Sequence, residues 1–218
     1  MQVAIDGPAG AGKSTIAKLL AQKNRMIYVD TGAMYRALTL KALRTGVDLQ
    51  DEAALCRLAE TTQIEFLEGE SGQDVLCDGV LVTDMIRTPQ VSSQVGTVAS
   101  YTGVRRIMVL QQQKLAQSYD IVMDGRDIGE KVLPQADFKF FMTAAPEERA
   151  RRRLKEWEMK GETADFAEVL QEILRRDAQD AGREEGALKI LPDSIVLDTT
   201  RLSIQEAVEK MQKIIGGF

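Results

Sequence analysis

The chain has 218 residues, 44% of them apolar, and carries a formal net charge of −5. That length fits one sizeable α/β domain, and the acidic balance argues against a nucleic-acid-binding surface, so an anionic ligand would need a local group of arginines. The sequence contains no histidine, which excludes a serine–histidine nucleophile, a histidine general base and a histidine-ligated zinc site.

Three further features predict a cytoplasmic protein without a membrane segment. No stretch approaches the roughly 18 consecutive apolar residues of a membrane-spanning helix. The first residues lack the basic region and apolar run of a signal peptide. The two cysteines, Cys56 and Cys77, have neither a metal-binding nor a redox spacing, which fits a reducing compartment. We also expect a monomer, because no apolar stripe remains once the predicted core is accounted for.

The first predicted elements are a strand, a glycine-rich loop and a helix. The strand spans residues 2–6 and the helix residues 13–23, each with the apolar pattern typical of its type. Between them the sequence GPAGAGKS matches the phosphate-binding loop G-x-x-x-x-G-K-[ST] without a mismatch. Lys13 is expected to contact the β- and γ-phosphates, and Ser14 to offer its hydroxyl to Mg²⁺. The expected ATP-binding residues are Gly7, Pro8, Ala9, Gly10, Ala11, Gly12, Lys13, Ser14 and Thr15.

The middle of the chain is predicted to hold a small antiparallel insert. A second core strand spans residues 26–30. Short strands are expected over 64–66, 74–77 and 80–82, and the pair Asp78-Gly79 predicts a type I′ turn between the last two. Helices are expected over residues 32–46, 52–61, 89–99 and 102–117.

The last part of the chain alternates strand and helix again. Three more core strands are predicted, over residues 120–124, 138–142 and 194–198. Helices are expected over residues 146–159, 165–180 and 203–216, with a break at Lys160-Gly161-Glu162. The alternation predicts an α/β fold built on a doubly wound parallel sheet of five strands.

Charged residues collect where two of the core strands end. Asp124 ends an apolar strand in a Walker-B-like position that supports a role at Mg²⁺, and Arg126 and Asp127 follow it. A turn with a local salt bridge is the alternative for this cluster. Arg36, one turn into the helix after the second strand, could clamp a phosphate or lie on a solvated helix face.

Two later helices carry arginines at helical spacing. They are Arg149, Arg152 and Arg153 on the first helix, and Arg176 and Arg183 around Asp180 on the second. Such runs are usually solvated surface. Gly161 between the two helices allows the alternative of a hinged flap whose arginines stabilise a transferring phosphoryl group.

Five motifs together resemble the bacterial-type cytidylate kinases. Besides the phosphate-binding loop, these are DTGAMYR at 30–36, DGRDIG at 124–129, the arginine run at 147–153 and RDxxDxxR at 176–183. The resemblance spans residues 2 to about 210 and implies the fold of a nucleoside monophosphate kinase. It implies a core formed by residues 1–32, 104–148 and 172–218, a nucleotide-binding domain with the β insert over 33–103, and a short helical lid over 149–171.

The resemblance also implies the activity and the roles of individual residues. ATP would phosphorylate CMP or dCMP with Mg²⁺, which Ser14 would bind and Asp30 or Asp124 would hold through water. Residues similar to those around the acceptor phosphate are Thr31, Arg36 and Arg126. Arg105 and Asp127 resemble base-contacting residues, Arg176 and Asp180 the pair at the pentose, and Arg183 an arginine of the same pocket. The implied catalytic residues are Lys13, Arg126 and Arg152.

The sequence departs from the family at one position and leaves two alternatives for the function. Family members often carry a serine near the position of Gly96, so either Thr97 takes over its contact or the alignment shifts by one residue. The alternatives are a kinase of the same fold acting on UMP or AMP, and a P-loop NTPase that is not a kinase. A GTPase is excluded, because the only asparagine, Asn24, is followed by Arg25 and no Asn-Lys-x-Asp signature exists.

Overall fold

The structure is a computed structural model that describes residues 1–69, 72–159, 161 and 163–216. The chain divides into two compact units, the first formed by Met1–Tyr28 with the chain from Ser118 onward, and the second by Val29–Gln117. Among the residues described, no helix is long and apolar enough to cross a membrane.

The strands and α-helices alternate much as the sequence predicts. In chain order they are β1 (Gln2–Asp6), α1 (Lys13–Asn24), β2 (Ile27–Asp30), α2 (Thr31–Thr45), α3 (Glu52–Glu60), β3 (Ile64–Gly69), β4 (Gly72–Cys77), β5 (Val80–Leu81), α4 (Pro89–Val98), α5 (Thr102–Ala116), β6 (Ile121–Gly125), β7 (Phe138–Thr143), α6 (Pro146–Glu158), α7 (Phe166–Ala181), β8 (Ile195–Asp198) and α8 (Ile204–Ile215). Among the residues described there are also a 3₁₀ turn at Met85–Arg87 and a π-helical turn at Ile128–Val132, neither of which was predicted.

The larger sheet has five strands in the order β2-β6-β1-β7-β8. β1 lies between β6 and β7 and runs parallel to both, and β7 runs parallel to β8. Asp6, the last residue of β1, is in register with Gly125 on one side and Phe141 on the other. The predicted parallel sheet is confirmed. β1 is its central strand, and the glycine-rich loop follows directly after β1.

A continuous apolar core explains why these strands are buried. Val3 and Ile5 of β1 are fully buried, and Leu20 of α1 and Met211 of α8 pack into the same cluster. Strands covered on both faces read as apolar runs rather than as alternating patterns, which is how β1, β6 and β7 read. The sheet therefore gives a rigid platform to the loops at its carboxyl edge.

The second unit contains the predicted antiparallel insert, a sheet with the order β3-β4-β5. Cys77 pairs with Val80 across the turn, and both turn residues have positive φ, 51° at Asp78 and 76° at Gly79. Positive φ at both central positions defines a type I′ turn, so this prediction is confirmed. Glu70 and Ser71, between β3 and β4, lie outside the described residues.

Helices α6 and α7 pack against each other through a small core of Ala150, Val169 and Ile173. Between them the described Gly161 has φ of +76°, while the flanking Lys160 and Glu162 of the predicted break lie outside the described residues. Asp165 starts α7 by accepting hydrogen bonds from the amides of Ala167 and Glu168.

Candidate active site

The glycine-rich loop leaves β1 in a backbone conformation that other residues could not adopt. Gly7 has φ of +151°, and a Cβ atom there would collide with the carbonyl oxygen of Met142 in β7. Gly12 precedes α1 with φ of 86°. The first amides of α1 consequently point into the loop, which is the arrangement that binds phosphate oxygens.

Lys13 is the charged group of this loop. Its side chain is buried, and Nζ donates a hydrogen bond to the Pro8 carbonyl at 2.8 Å. Burial, followed by the nearby charge of Arg126, lowers the pKa of Lys13 to about 7. A polyphosphate beside Nζ would favour the charged form of Lys13. Binding of such an anion would therefore raise the pKa of Lys13 again.

Ser14, Asp124 and Tyr28 form a connected group of hard oxygen atoms. Ser14 Oγ donates to one carboxylate oxygen of Asp124 at 2.9 Å, and the Tyr28 hydroxyl donates to the other at 2.6 Å. Asp124 is buried at the end of β6. Mg²⁺ in nucleotide sites is typically bound by one or two protein oxygens and by phosphates, which this donor set fits. Within the described residues, no cluster of three or more acidic, cysteine or histidine residues could bind a metal by itself.

Sequence reasoning missed Tyr28. The sequence offered one indication of a polar role, a hydroxyl group in an otherwise apolar strand. The partner of that hydroxyl, Asp124, is 96 residues away in the chain.

The arginines of α6 have different positions. Arg149 is buried and donates to the Ala9 carbonyl of the loop at 3.0 Å, to the Ala144 carbonyl at 2.9 Å and in bidentate fashion to Asp177 of α7, at 3.0 and 2.5 Å. Gly10 is required beside it, since a Cβ there would lie 3.2 Å from Arg149 Cβ.

Arg152 also lies at the loop. It donates to the side chain and carbonyl of Thr199, at 3.2 and 2.6 Å, and Thr199 in turn donates to the Ala11 carbonyl at 3.2 Å. Arg153 lies over the Trp157 ring at 5.2 Å. The contacts from this helix to the loop are made by Arg149 and, through Thr199, by Arg152.

A second cationic cluster surrounds Asp180 of α7. Arg126 Nε donates to one of its carboxylate oxygens at 2.6 Å, and Arg183 pairs with the other at 2.5 Å. Burial alone would raise the pKa of Asp180, but Arg126 and Arg183 outweigh it and hold that pKa below the usual value. The charge of Arg176 lowers the pKa of both Asp180 and Lys13, more weakly than Arg126 does.

Asp127 and Asp6 meet at the start of the π-helical turn. Asp127 is buried and precedes Ile128. Asp6 accepts hydrogen bonds from the amides of Ile128 and Gly129, at 2.7 and 2.9 Å. Burial raises the pKa of Asp6 to about 6, and the nearby Asp127 adds to the rise. The sequence analysis gave Asp6 no role.

The second unit holds the other predicted residues. Arg36 is half-buried and donates to Ser92 Oγ at 2.8 Å and to the Ile86 carbonyl at 3.4 Å, so it does not lie on a solvated face. Arg105 is buried, donates to the Ala99 carbonyl at 3.1 Å and lies over the Tyr35 ring at 5.6 Å.

Thr31 and Asp30 lie at the start of α2 in the same unit. Thr31 is buried in the first turn. Asp30 caps the helix through the Ala33 amide, at 2.9 Å, and pairs with Arg87 at 3.5 Å. Gly96 is exposed on α4, and a Cβ there would meet nothing within 4 Å.

The parallel sheet and this loop define a P-loop protein. A crystal structure of shikimate kinase from Bacteroides thetaiotaomicron shares the fold, with a TM-score of 0.50 and 13% identity over 99% of this chain and 98% of that one. A structure of an uncharacterised protein from Eubacterium ventriosum gives 0.54 and 13% over 100% and 99%.

The chain belongs to the cytidylate kinase family, whose sequence model matches residues 3–216. It is 51% identical to a cytidylate kinase of Bacillus pumilus over 97% of this chain and 94% of the relative. It is 47% identical to a cytidylate kinase of Bacillus subtilis over 99% and 96%. The resemblance drawn from the motifs is confirmed.

Proposed function

We propose that this protein phosphorylates CMP and dCMP with ATP, giving ADP and CDP or dCDP. The observation that carries the proposal is membership of the cytidylate kinase family along almost the whole chain. The site supports it with two cationic regions in one unit, the loop around Lys13 and the arginines around Asp180. A donor triphosphate and an acceptor monophosphate each need such a region.

ATP binds with its phosphates in the loop formed by residues 7–15. The amides at the start of α1 and Lys13 hold the phosphate oxygens. Mg²⁺ would be held by Ser14 and by Asp124, directly or through water, and would offset charge on the phosphates. We favour Asp124 over Asp30, because Asp124 is hydrogen-bonded to Ser14 at 2.9 Å.

For CMP we propose the residue roles that the family resemblance implies. Thr31, Arg36 and Arg126 would bind its phosphate, and Arg176, Asp180 and Arg183 would contact the pentose. Arg105 and Asp127 would contact the base. A carboxylate suits cytosine, since the exocyclic amino group donates a hydrogen bond where uracil has only a carbonyl. The division into core, nucleotide-binding domain with β insert, and lid, at the boundaries given above, belongs to this proposal.

Phosphoryl transfer here needs positioning and charge stabilisation rather than a general base. The attacking atom is a phosphate oxygen of CMP, already ionised at neutral pH, so the absence of histidine costs nothing. Arg126 holds the acceptor in line, and Lys13 and Arg152 stabilise charge on the transferring group. The cellular setting we propose is a cytoplasmic monomer that binds neither membranes nor nucleic acid.

The test is ADP release from ATP and Mg²⁺ with a panel of acceptors: CMP, dCMP, UMP, AMP and none. Turnover with CMP and dCMP well above the others is expected. Preference for UMP or AMP would move the protein to another acceptor, and ATP hydrolysis independent of any acceptor would indicate an NTPase that is not a kinase. Lys13→Ala should lower kcat by about 100-fold or more, and near-normal turnover of that variant would contradict the site.

Specificity is tested with Asp127→Ala. It should erode the preference for CMP over UMP more than it lowers the melting temperature. Unchanged selectivity together with reduced stability would instead assign Asp127 to a local structural contact.

A further inference from the structure

Asp6 is a buried carboxylate that the proposed chemistry does not use. The residue is 5% exposed and occupies the last position of β1, immediately before the loop. Both of its oxygens accept backbone hydrogen bonds, one from Ile128 and one from Gly129. Those amides begin the turn that directly follows Arg126 and Asp127.

The backbone of Asp6 is held without help from its side chain. Asp6 is paired in the sheet with Gly125 of β6 on one side and Phe141 of β7 on the other. The carboxylate is therefore not needed to fix the entry to the ATP-binding loop. What it does hold is the 128–129 backbone, which has left the sheet.

The Asp6 carboxylate and this turn are closely packed against each other. A Cβ on Gly129 would lie 3.3 Å from the Asp6 oxygen and 3.2 Å from Lys139 Cδ. Burial of the carboxylate is itself costly, as its raised pKa indicates. The sheet pairing at this strand end does not require a carboxylate. The hydrogen bonds that the Asp6 carboxylate accepts from the two amides therefore explain why a buried charge is present here.

We propose that Asp6 is a positioning residue that fixes the acceptor-binding segment 126–129 to the end of the strand from which the ATP-binding loop departs. Both substrate-binding segments are then anchored to the end of the same central strand. The two hydrogen bonds of Asp6 thereby help to set the distance between the attacking phosphate oxygen of CMP and the γ-phosphorus of ATP. The inference rests on the proposed function in that CMP is taken as the acceptor held by Arg126 and Asp127.

The first variant is Asp6→Asn, which keeps the shape but can accept only one of the two amide hydrogen bonds. The matched control is Asp137→Asn, because Asp137 also accepts a backbone amide of β1, from Gln2 at 2.7 Å, but at the exposed opposite end. The second variant is Gly129→Ala, which disturbs the same contact from the other side without changing a charge.

Hydrogen exchange followed by NMR tests the contact itself. Exchange of the Ile128 and Gly129 amides should accelerate by about tenfold or more in Asp6→Asn and stay unchanged in the control. Equal exchange in Asp6→Asn and wild type would overturn the proposal. Because this readout needs no substrate, it holds even if the wild-type protein fails to phosphorylate CMP, in which case the proposed function fails separately.

Kinetics test the consequence. In Asp6→Asn and Gly129→Ala the KM for CMP should rise and kcat should fall, together by about 10- to 100-fold in kcat/KM, while the Kd for ATP, measured by calorimetry, should stay within about twofold. If Asp6 acted instead as a charge partner of Lys13, Asp6→Asn would change ATP binding and Gly129→Ala would change nothing. That pattern would also overturn the proposal.

Discussion

Arg149 offers a sharp test of how the ATP-binding loop is supported. Its side chain is 4% exposed and makes hydrogen bonds to the loop at Ala9, to Ala144 after β7 and to Asp177 of α7. Replacing it by alanine removes the donor from the buried Ala144 carbonyl, from the part-buried Ala9 carbonyl and from the Asp177 carboxylate. Breaking a buried ion pair in this way costs about 3–5 kcal/mol.

The exposure of Asp177 decides where in that range the loss should fall. The Asp177 side chain is 26% exposed, so water can replace part of the guanidinium. We therefore expect Arg149→Ala to lose about 3 kcal/mol of unfolding free energy, at the lower end of the range. With a urea m-value of about 2–3 kcal/mol/M for a chain of this size, the unfolding midpoint should fall by about 1 M.

The assay is urea unfolding followed by circular dichroism, with Arg151→Ala as the matched control. Arg151 lies on the same helix and also pairs with a carboxylate, that of Glu148 at 3.1 Å, but its side chain is 64% exposed. Exposed pairs contribute about 0–1 kcal/mol, so the control should barely move the midpoint. Equal midpoints for the two variants would refute the reasoning.

Three further predictions follow from single contacts. Since burial lowers the pKa of Lys13 to about 7 and bound phosphate must raise it again, ATP binding takes up a proton, and affinity should fall by up to about tenfold per pH unit above about pH 7. Calorimetry in buffers of different ionisation enthalpy measures that uptake, and its absence would contradict the assignment. Tyr28→Phe removes the hydrogen bond by which the Tyr28 hydroxyl orients Asp124, so it should cost about 1 kcal/mol and raise the Mg²⁺ concentration at half-maximal rate; an unchanged requirement would count against it. Gly96→Ser has open space and should stabilise α4 by about 0.5 kcal/mol, a gain that a lower melting temperature would disprove.

The sequence predicted those parts of the fold that depend on local pattern. The strand, loop and helix around Lys13 follow from a motif with fixed spacing, and the turn at Asp78-Gly79 follows from two residues that tolerate positive φ. The five core strands were recognisable as apolar runs between helices. Each of these features needs only neighbouring residues.

The contacts of Asp6 and Arg149, which were missed, depend on partners far apart in the chain. Asp6 is 122 residues from Ile128, and Arg149 is 140 residues from Ala9. The residue pattern within a single segment cannot predict which distant residue that segment will contact. Arg153 was placed with Arg152 on helical spacing alone, but its preference for the Trp157 ring depends on a side chain one turn further along. Spacing along a helix therefore identified the cationic helix but not which guanidinium groups lie at the loop.

The central position of β1 has a consequence for the synthesis of the chain. β1 is made first, yet both of its strand partners, β6 and β7, lie more than a hundred residues later, and Thr199, which supports the loop, comes later still. The nucleotide site is therefore assembled by contacts of high sequence separation, which form slowly. A nascent chain that stops before β7 would carry the complete phosphate-binding motif and still lack the backbone that shapes it. Nucleotide could then stabilise the protein only after almost the whole chain had left the ribosome.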